Sequence, residues 1–281
     1  MLVRGKIFIG AIMKKRSLSN IKILLTLFIF LFSLSACIEI HIDGESFKDG
    51  DKVKVKGVVL ENKRTIQIKD TKNYGKFTAD VHHGNIELAG GNIYDLEIEI
   101  YEKTPDDVTI ALDNGAITCK TKSGAPFAIG NIKGIIPKDT DISIDSGAGN
   151  FQLNDFTGSN VDFDSGAGNV KIENCNIKDL TGDTGAGNVK MSDLKAENID
   201  IDTGAGNISL TDVISRSIDC DTGVGNISAT DCAAHNVYLD TGIGNVSISD
   251  CQFKNKDIST GLGGIKGVKK ETEETKDEEV Y

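Results

Sequence analysis

Asp202-Thr203-Gly204-Ala205-Gly206-Asn207 is one of six copies of Asp-(Ser/Thr)-Gly-X-Gly-Asn in this chain. The others begin at Asp145, Asp164, Asp183, Asp221 and Asp240, always nineteen residues apart, and a worn seventh copy occupies residues 259–264. A fixed period near twenty marks a stacked solenoid, in which each repeat is one rung that cannot bury its apolar face alone. The spacing does not slip by a single residue, so the architecture is legible before any function is.

Around the Asp202 copy, Ile199 and Ile201 alternate with Asp200 and Asp202, the period-2 pattern of a half-buried strand. The two glycines then offer a turn, and Ile208 and Leu210 alternate with Ser209 and Thr211 in a second strand. The inward pairs recur as Ile142/Ile144, Val161/Phe163, Ile218/Cys220 and Val237/Leu239 before the turn, and as Phe151/Leu153, Val170/Ile172 and Val189/Met191 after it. One rung departs from this, with Gly182 where an apolar residue belongs. Too few residues separate the turns for a crossover helix, so successive rungs should pair as parallel strands. The fold class is therefore all-β, a parallel β-helix or β-solenoid with 19-residue rungs. If the first turn glycine has positive φ, Gly204→Val should destabilise the stack.

The rest of the chain divides by composition. Residues 139–268 hold the regular repeat. Residues 37–138 use the same vocabulary without the period, as in Asp80-Val81-His82-His83-Gly84-Asn85, Asp113-Asn114-Gly115 and Gly130-Asn131-Ile132. They read as an irregular N-terminal part of the solenoid and its cap, with a separate small β domain as the alternative. Residues 269–281 are nearly all Lys, Glu, Asp and Thr, the composition of a disordered tail. Residues 1–36 read as a lipoprotein signal peptide: basic Lys14-Lys15-Arg16 and Lys22, an apolar stretch over 23–32 shorter than a membrane span, then Leu34-Ser35-Ala36-Cys37. That last tetrapeptide is similar to the lipobox of bacterial lipoproteins, which implies cleavage before Cys37 and lipidation of its thiol. Met13 opens a better-proportioned signal than Met1.

Residues 1–36 contain six of the 31 basic residues and none of the 42 acidic ones, leaving 25 against 42, a net charge of −17. Such acidity argues against nucleic acid and anionic lipid as ligands. Five cysteines follow Cys37. Cys175, Cys232 and Cys251 share a repeat slot with Phe156, Leu194 and Val213, and read as small core residues. Cys232 and Cys251 lie on adjacent rungs, near enough for a disulfide, although parallel side-chain vectors make the dihedral awkward.

The turn residues are the candidate structural set: Asp145, Gly147, Gly149, Asn150, Asp164, Gly166, Gly168, Asn169, and the equivalent Asp183, Asp202, Asp221 and Asp240. The Asp row invites calcium, but the motif is not the calcium β-roll nonapeptide and supplies one carboxylate per turn. The preferred reading has each Asp hydrogen-bonding the amides of its own turn. The Asn row is placed to form an amide ladder. A second row, Asp155, Asn174, Asp193, Asp212, Asp231 and Asp250, marks the other corner. The residue between the glycines grows from Ala148 through Val224 and Ile243 to Leu262 and is expected to fill the core, the alternative being an outward apolar ridge at the distal end that marks a partner site. Outward Arg216, His235, Tyr238 and Lys254 are weaker contact candidates. No nucleophile–base arrangement stands out, the chain lacks Trp, and His82-His83 read as a solvated loop. No catalytic residue, metal or cofactor is assigned.

With these turns the chain resembles the bacterial putative-adhesin family of β-strand-repeat proteins, which share character with auto-transporter adhesin heads, over roughly residues 80–267. The resemblance implies a β-helix, an envelope or secreted setting and no known catalytic residue; it transfers no binding site. The expectation is an extracytoplasmic β-solenoid, lipid-anchored to the bacterial membrane. It would act as a non-enzymatic binding, adhesion or scaffold module for an unidentified envelope or surface protein or glycan. The alternatives are an envelope-stress sensor or accessory subunit docking on a membrane partner, and a polysaccharide-active β-helix enzyme.

Overall fold

The computed structural model describes Ser46–Phe47 and residues 52–267; the expected signal peptide, Cys37 and the tail over 269–281 lie outside the described residues. Within them every regular element is a strand. From Asp141–Ala148 onward each rung pairs with the next in parallel, nineteen residues out of phase. Thus Ile142 faces Val161, Val161 faces Leu180, Leu180 faces Ile199, Ile199 faces Ile218, and Ile218 faces Val237. The chain is a β-solenoid of about seven 19-residue turns.

The strands form because apolar residues alternate with polar ones, and the stack buries one set while wetting the other. Buried rows run the length of the molecule: Phe151, Val170, Val189, Ile208, Ile227 and Val246 in one, Phe156, Cys175, Leu194, Val213 and Cys232 in another. The Gly182 anomaly has a steric cause. Phe163, its register partner on the preceding rung, fills the space, and a Cβ on Gly182 would lie 1.9 Å from the Phe163 ring.

The second corner relies on the left-handed region. Asp155, Asn174, Asp193, Asp212, Asp231 and Asp250 all have φ between 50° and 54°. Asn and Asp tolerate this region better than other residues with a Cβ, which accounts for the restriction of the row to those two types. At the Asp-motif corner the two glycine columns differ. The second glycine has positive φ on every rung but that of Gly206, 144° at Gly149 and 159° at Gly225. The first does not, which corrects the expectation for Gly204: its constraint is close approach, since a Cβ there would sit 2.6 Å from the Gly185 carbonyl oxygen.

The N-terminal part joins the stack through one rung. Lys76–His83 lies parallel to Asp141–Ala148, with Asp80 opposite Asp145, and Ile86–Gly91 lies parallel to Phe151–Asn154. On its other side Ile86–Gly91 lies parallel to the second half of Phe127–Pro137, with Ile132 opposite Ile86 and Pro137 opposite Gly91, and beyond that the pairing becomes antiparallel. Tyr94–Glu102 is flanked by Asn62–Asp70 and Phe127–Pro137, and Val108–Asp113 forms a hairpin with Ala116–Thr121. The Asp113-Asn114-Gly115 segment is that hairpin's turn, with φ of 47° at Asn114 and 82° at Gly115. A three-stranded antiparallel sheet, Ser46–Phe47, Val53–Val55 and Val58–Leu60, packs Val53, Val55 and Leu60 with Ala128 in a small separate core.

Buried Glu102 ties the hairpin to this region. It accepts from Arg64 Nε at 2.7 Å and from the backbone amides of Asp106 and Val108 at 2.9 Å each. Burial alone would raise its carboxyl, but the Arg64 guanidinium and the two amides outweigh that and hold it below the ordinary value.

Gly225→Ala tests the glycine columns, because its Cβ would be placed 1.8 Å from the Gly206 carbonyl oxygen. The positive φ alone should cost about 1–3 kcal/mol, and the overlap adds to it. In urea unfolding the midpoint should fall well below that of Ala205→Gly, whose side chain meets no such limit.

Candidate functional site

The in-register stack turns each motif position into a row. Asp145, Asp164, Asp183, Asp202, Asp221 and Asp240 are successive register partners on the outward face, preceded by Asp80 and followed by Ser259. Two residues earlier a second outward row holds Ser143, Asp162, Thr181, Asp200, Asp219, Tyr238 and Asp257. Carboxylates therefore recur at roughly the 4.8 Å inter-strand spacing.

That crowding leaves an electrostatic trace. Partial burial and then the neighbouring carboxylates of Asp202, Asp219, Asp240 and Asp200 push Asp221 up to about 6. Asp164 is raised by burial and by Asp145, Asp183 and Asp162, and Asp145 by burial and Asp80, with His82 acting in the opposite sense. The row ends where Ser259 Oγ donates to Asp240 Oδ1 at 2.5 Å. Among the described residues no group of three His, Cys, Asp or Glu is arranged to hold a metal ion.

The expectation that each Asp binds its own turn amides is corrected by where those amides go. Gly168 N–H donates to Ala186 O at 2.9 Å, Asn169 N–H to Asn150 Oδ1 at 2.9 Å, and Val170 N–H to Asn188 O at 2.9 Å. The turn is satisfied by its neighbouring rungs.

Asn150, Asn169, Asn188, Asn207, Asn226 and Asn245 form a continuous amide ladder. Each Oδ1 up to that of Asn226 accepts the backbone N–H and the side-chain amide of the next Asn, as Asn188 Oδ1 does from Asn207 at 3.0 Å for both bonds. The ladder begins at Asn85 and Asn131 and ends on the Gly264 amide. Turn threonines, the first two buried, add a second stitch: Thr222, Thr241 and Thr260 donate to the carbonyls of Gly206, Gly225 and Gly244 at 2.8–2.9 Å.

Between the glycine columns, the varying residue faces outward. Ala148, Ala167, Ala186, Ala205, Val224, Ile243 and Leu262 are register partners, and the last three are 52%, 51% and 68% exposed. This overturns the core-filling expectation. The turn chain runs too close to its neighbours for a Cβ to point anywhere but into water, and the inward volume beneath is taken by the Ser/Thr row. The result is an apolar ridge that swells toward the C-terminal end of the stack.

The other contact candidates are scattered. Tyr238 is 50% exposed in the second Asp row, and Arg216 Nη2 donates to Asn198 Oδ1 at 2.7 Å. His235 and Lys254 border a shallow open groove with Ile214, Ala233, Ala234 and Phe253. Exposed Ile214 was not singled out by sequence, because its slot lies in the variable polar stretch between rungs. His82 and His83 end the strand Lys76–His83, with His83 in register with Ala148 at the head of the ridge.

The family described as Toastrack DUF4097 matches this chain over residues 38–196, 127–215 and 198–276. Among solved structures, a putative adhesin from Bacteroides fragilis is similar at TM-score 0.50 and 19% identity, over 73% of this chain and 97% of its own. A putative lipid binding protein from Parabacteroides distasonis is similar at TM-score 0.49 and 17% identity, over 74% of this chain and 97% of its own. At 19% identity the first likeness is one of fold. No curated protein matches the chain.

The carboxylate rows make stability pH-dependent in a definite direction. Asp221 titrates near 6 when folded against 3.8 as its ordinary value, so between those values the folded state binds more protons than the unfolded one. Stability therefore falls as pH rises through that window. Asp221→Asn should raise the melting temperature at pH 7.5 by about 2–3 °C, allowing for solvent screening, and leave it unchanged at pH 4. A lower melting temperature for the variant at pH 7.5 would mean that the carboxylate stabilises the stack.

Proposed function

We propose, for a chain that belongs to the Toastrack DUF4097 family, that it is a non-catalytic binding module of the bacterial cell envelope, lipid-anchored through Cys37 and engaging its partner at the C-terminal end of the solenoid. The observation that carries this reading is the exposed ridge of Val224, Ile243 and Leu262, three large apolar side chains held in register on one corner. Exposed apolar surface of that kind marks partner contacts.

The order of the stack supports the polarity. Cys37 precedes the antiparallel N-terminal end, whereas the ridge is largest on the last rungs. The similar solved structure described as a putative adhesin agrees with a binding role. The acidic outward rows disfavour nucleic acid and anionic lipid as partners and suit a protein or glycan surface bearing cations. A backbone this tightly bonded between rungs presents a pre-organised surface, which lowers the entropic cost of docking.

Crosslinking in the native envelope provides the test. The triple variant Val224→Ser, Ile243→Ser, Leu262→Ser should keep the β-sheet circular dichroism of the parent and lose its crosslinked partner. An unchanged crosslinking pattern from the folded variant would exclude the ridge as the contact, and Cys37→Ser should release the protein from the membrane fraction.

A further inference from the structure

Cys232 and Cys251 stand at the same corner of adjacent rungs, each directly after a left-handed residue, Asp231 (φ 53°) and Asp250 (φ 54°). The rungs are bonded at this point, with Gln252 N–H donating to Cys232 O at 2.8 Å. Rungs stacked at roughly 4.8 Å put the two Cα atoms inside the range of about 4.4–6.8 Å that a disulfide spans. Distance alone would leave the objection that stacked side chains point in parallel. The Cys251 sulfur answers it by leaning across the gap, where it accepts a hydrogen bond from the Cys232 backbone N–H at 3.4 Å.

Both thiols are reduced in this structure. Cys232 Sγ donates to Thr230 O at 3.2 Å and Cys251 Sγ to Ser249 O at 3.1 Å. Their exposures differ: Cys232 is 1% exposed, while Cys251 is half-buried on the last rung. The other described cysteines have apolar register partners. Cys175 faces Leu194, Cys220 faces Ile201 and Leu239, and Cys119 faces Ile110.

We propose that Cys232 and Cys251 are a redox-active pair that closes into an inter-rung disulfide by exchange with an external disulfide. The accessible Cys251 thiolate attacks one sulfur of R–S–S–R, displacing RS⁻ and forming a mixed disulfide. Cys232 gives up its proton to solvent and attacks the Cys251 sulfur, displacing the second RS⁻. Two protein thiols are oxidised to one disulfide while the external disulfide is reduced to two thiols. Burial raises the Cys232 thiol to about 11, so the resolving step is the slow one and accelerates with pH.

The closed pair would staple a rung that is otherwise held from one side. Gln252–Leu262 pairs only with Ala233–Ile243 among the described strands of its face, and its Phe253 and Ile258 are half-exposed. The same rung carries Leu262.

The test equilibrates the reduced full chain with glutathione and its oxidised disulfide at pH 8, then measures intact mass and maps disulfide-linked peptides. The expected result is a loss of about 2 Da, independent of protein concentration, with the fragments containing Cys232 and Cys251 joined. Cys251→Ser, shown folded by circular dichroism, should lose that change, and the oxidised parent should resist proteolysis within the last rung relative to the variant. A parent that keeps all its thiols in fully oxidised buffer would overturn the proposal. So would glutathione persisting on Cys251, or a bridge joining other cysteines.

Discussion

Rung spacing at the glycine corner is the constraint on which the rest of this molecule depends. Each second glycine carries its carbonyl oxygen where a Cβ on the next rung's glycine would have to be, 1.9 Å away at Gly149 and Gly168 and 1.6 Å at Gly263. One glycine in this column therefore obliges the next rung to supply another. The Asn beside it is bound by the same logic, since its Oδ1 serves two donors of the following rung and its own amides need the rung before. A repeat built this way cannot drift in length, because a one-residue slip would break both columns and turn the apolar set into water.

Perfect register has costs as well as benefits. It gathers apolar side chains into continuous buried rows, and it also stacks carboxylate on carboxylate from Asp145 to Asp240. Asp221, raised by partial burial first and by its stacked carboxylates second, marks that cost. Screening by water and salt keeps it small, and the backbone and amide ladders offset it. An acidic face maintained against its own repulsion is more readily understood as a surface property than as a folding device, which agrees with a module that meets partners through its exterior.

The two ends of the stack are built differently. At the N-terminal end the parallel rungs give way to antiparallel strands, pinned by the Arg64–Glu102 pair and the Val108–Asp113 hairpin. At the C-terminal end the rows simply thin out: Lys256 takes the slot of Val237, Ser259 takes that of Asp240, and Ile265 is exposed. The ridge and the Cys232–Cys251 pair both belong to these last described rungs.

Period, strand alternation and the identity of the inward rows were determined by the sequence alone, because a solenoid's contacts are its own repeat shifted by nineteen residues. Ile199 stacks on Ile218 as surely as the motif recurs. Three things only the tertiary structure decided. The direction of Ala205, Val224 and Ile243 depended on how closely adjacent turns approach, a distance no single turn contains. The partners of the turn amides depended on the neighbouring rung being there to compete with the local Asp. The folding of residues 62–137, where Lys76–His83 joins a rung sixty-five positions away while Tyr94–Glu102 pairs antiparallel on both sides, depended on long-range pairing that leaves no period in the chain. Repetition makes local sequence and global contact the same information, and where it stops, only the folded chain brings the partners together.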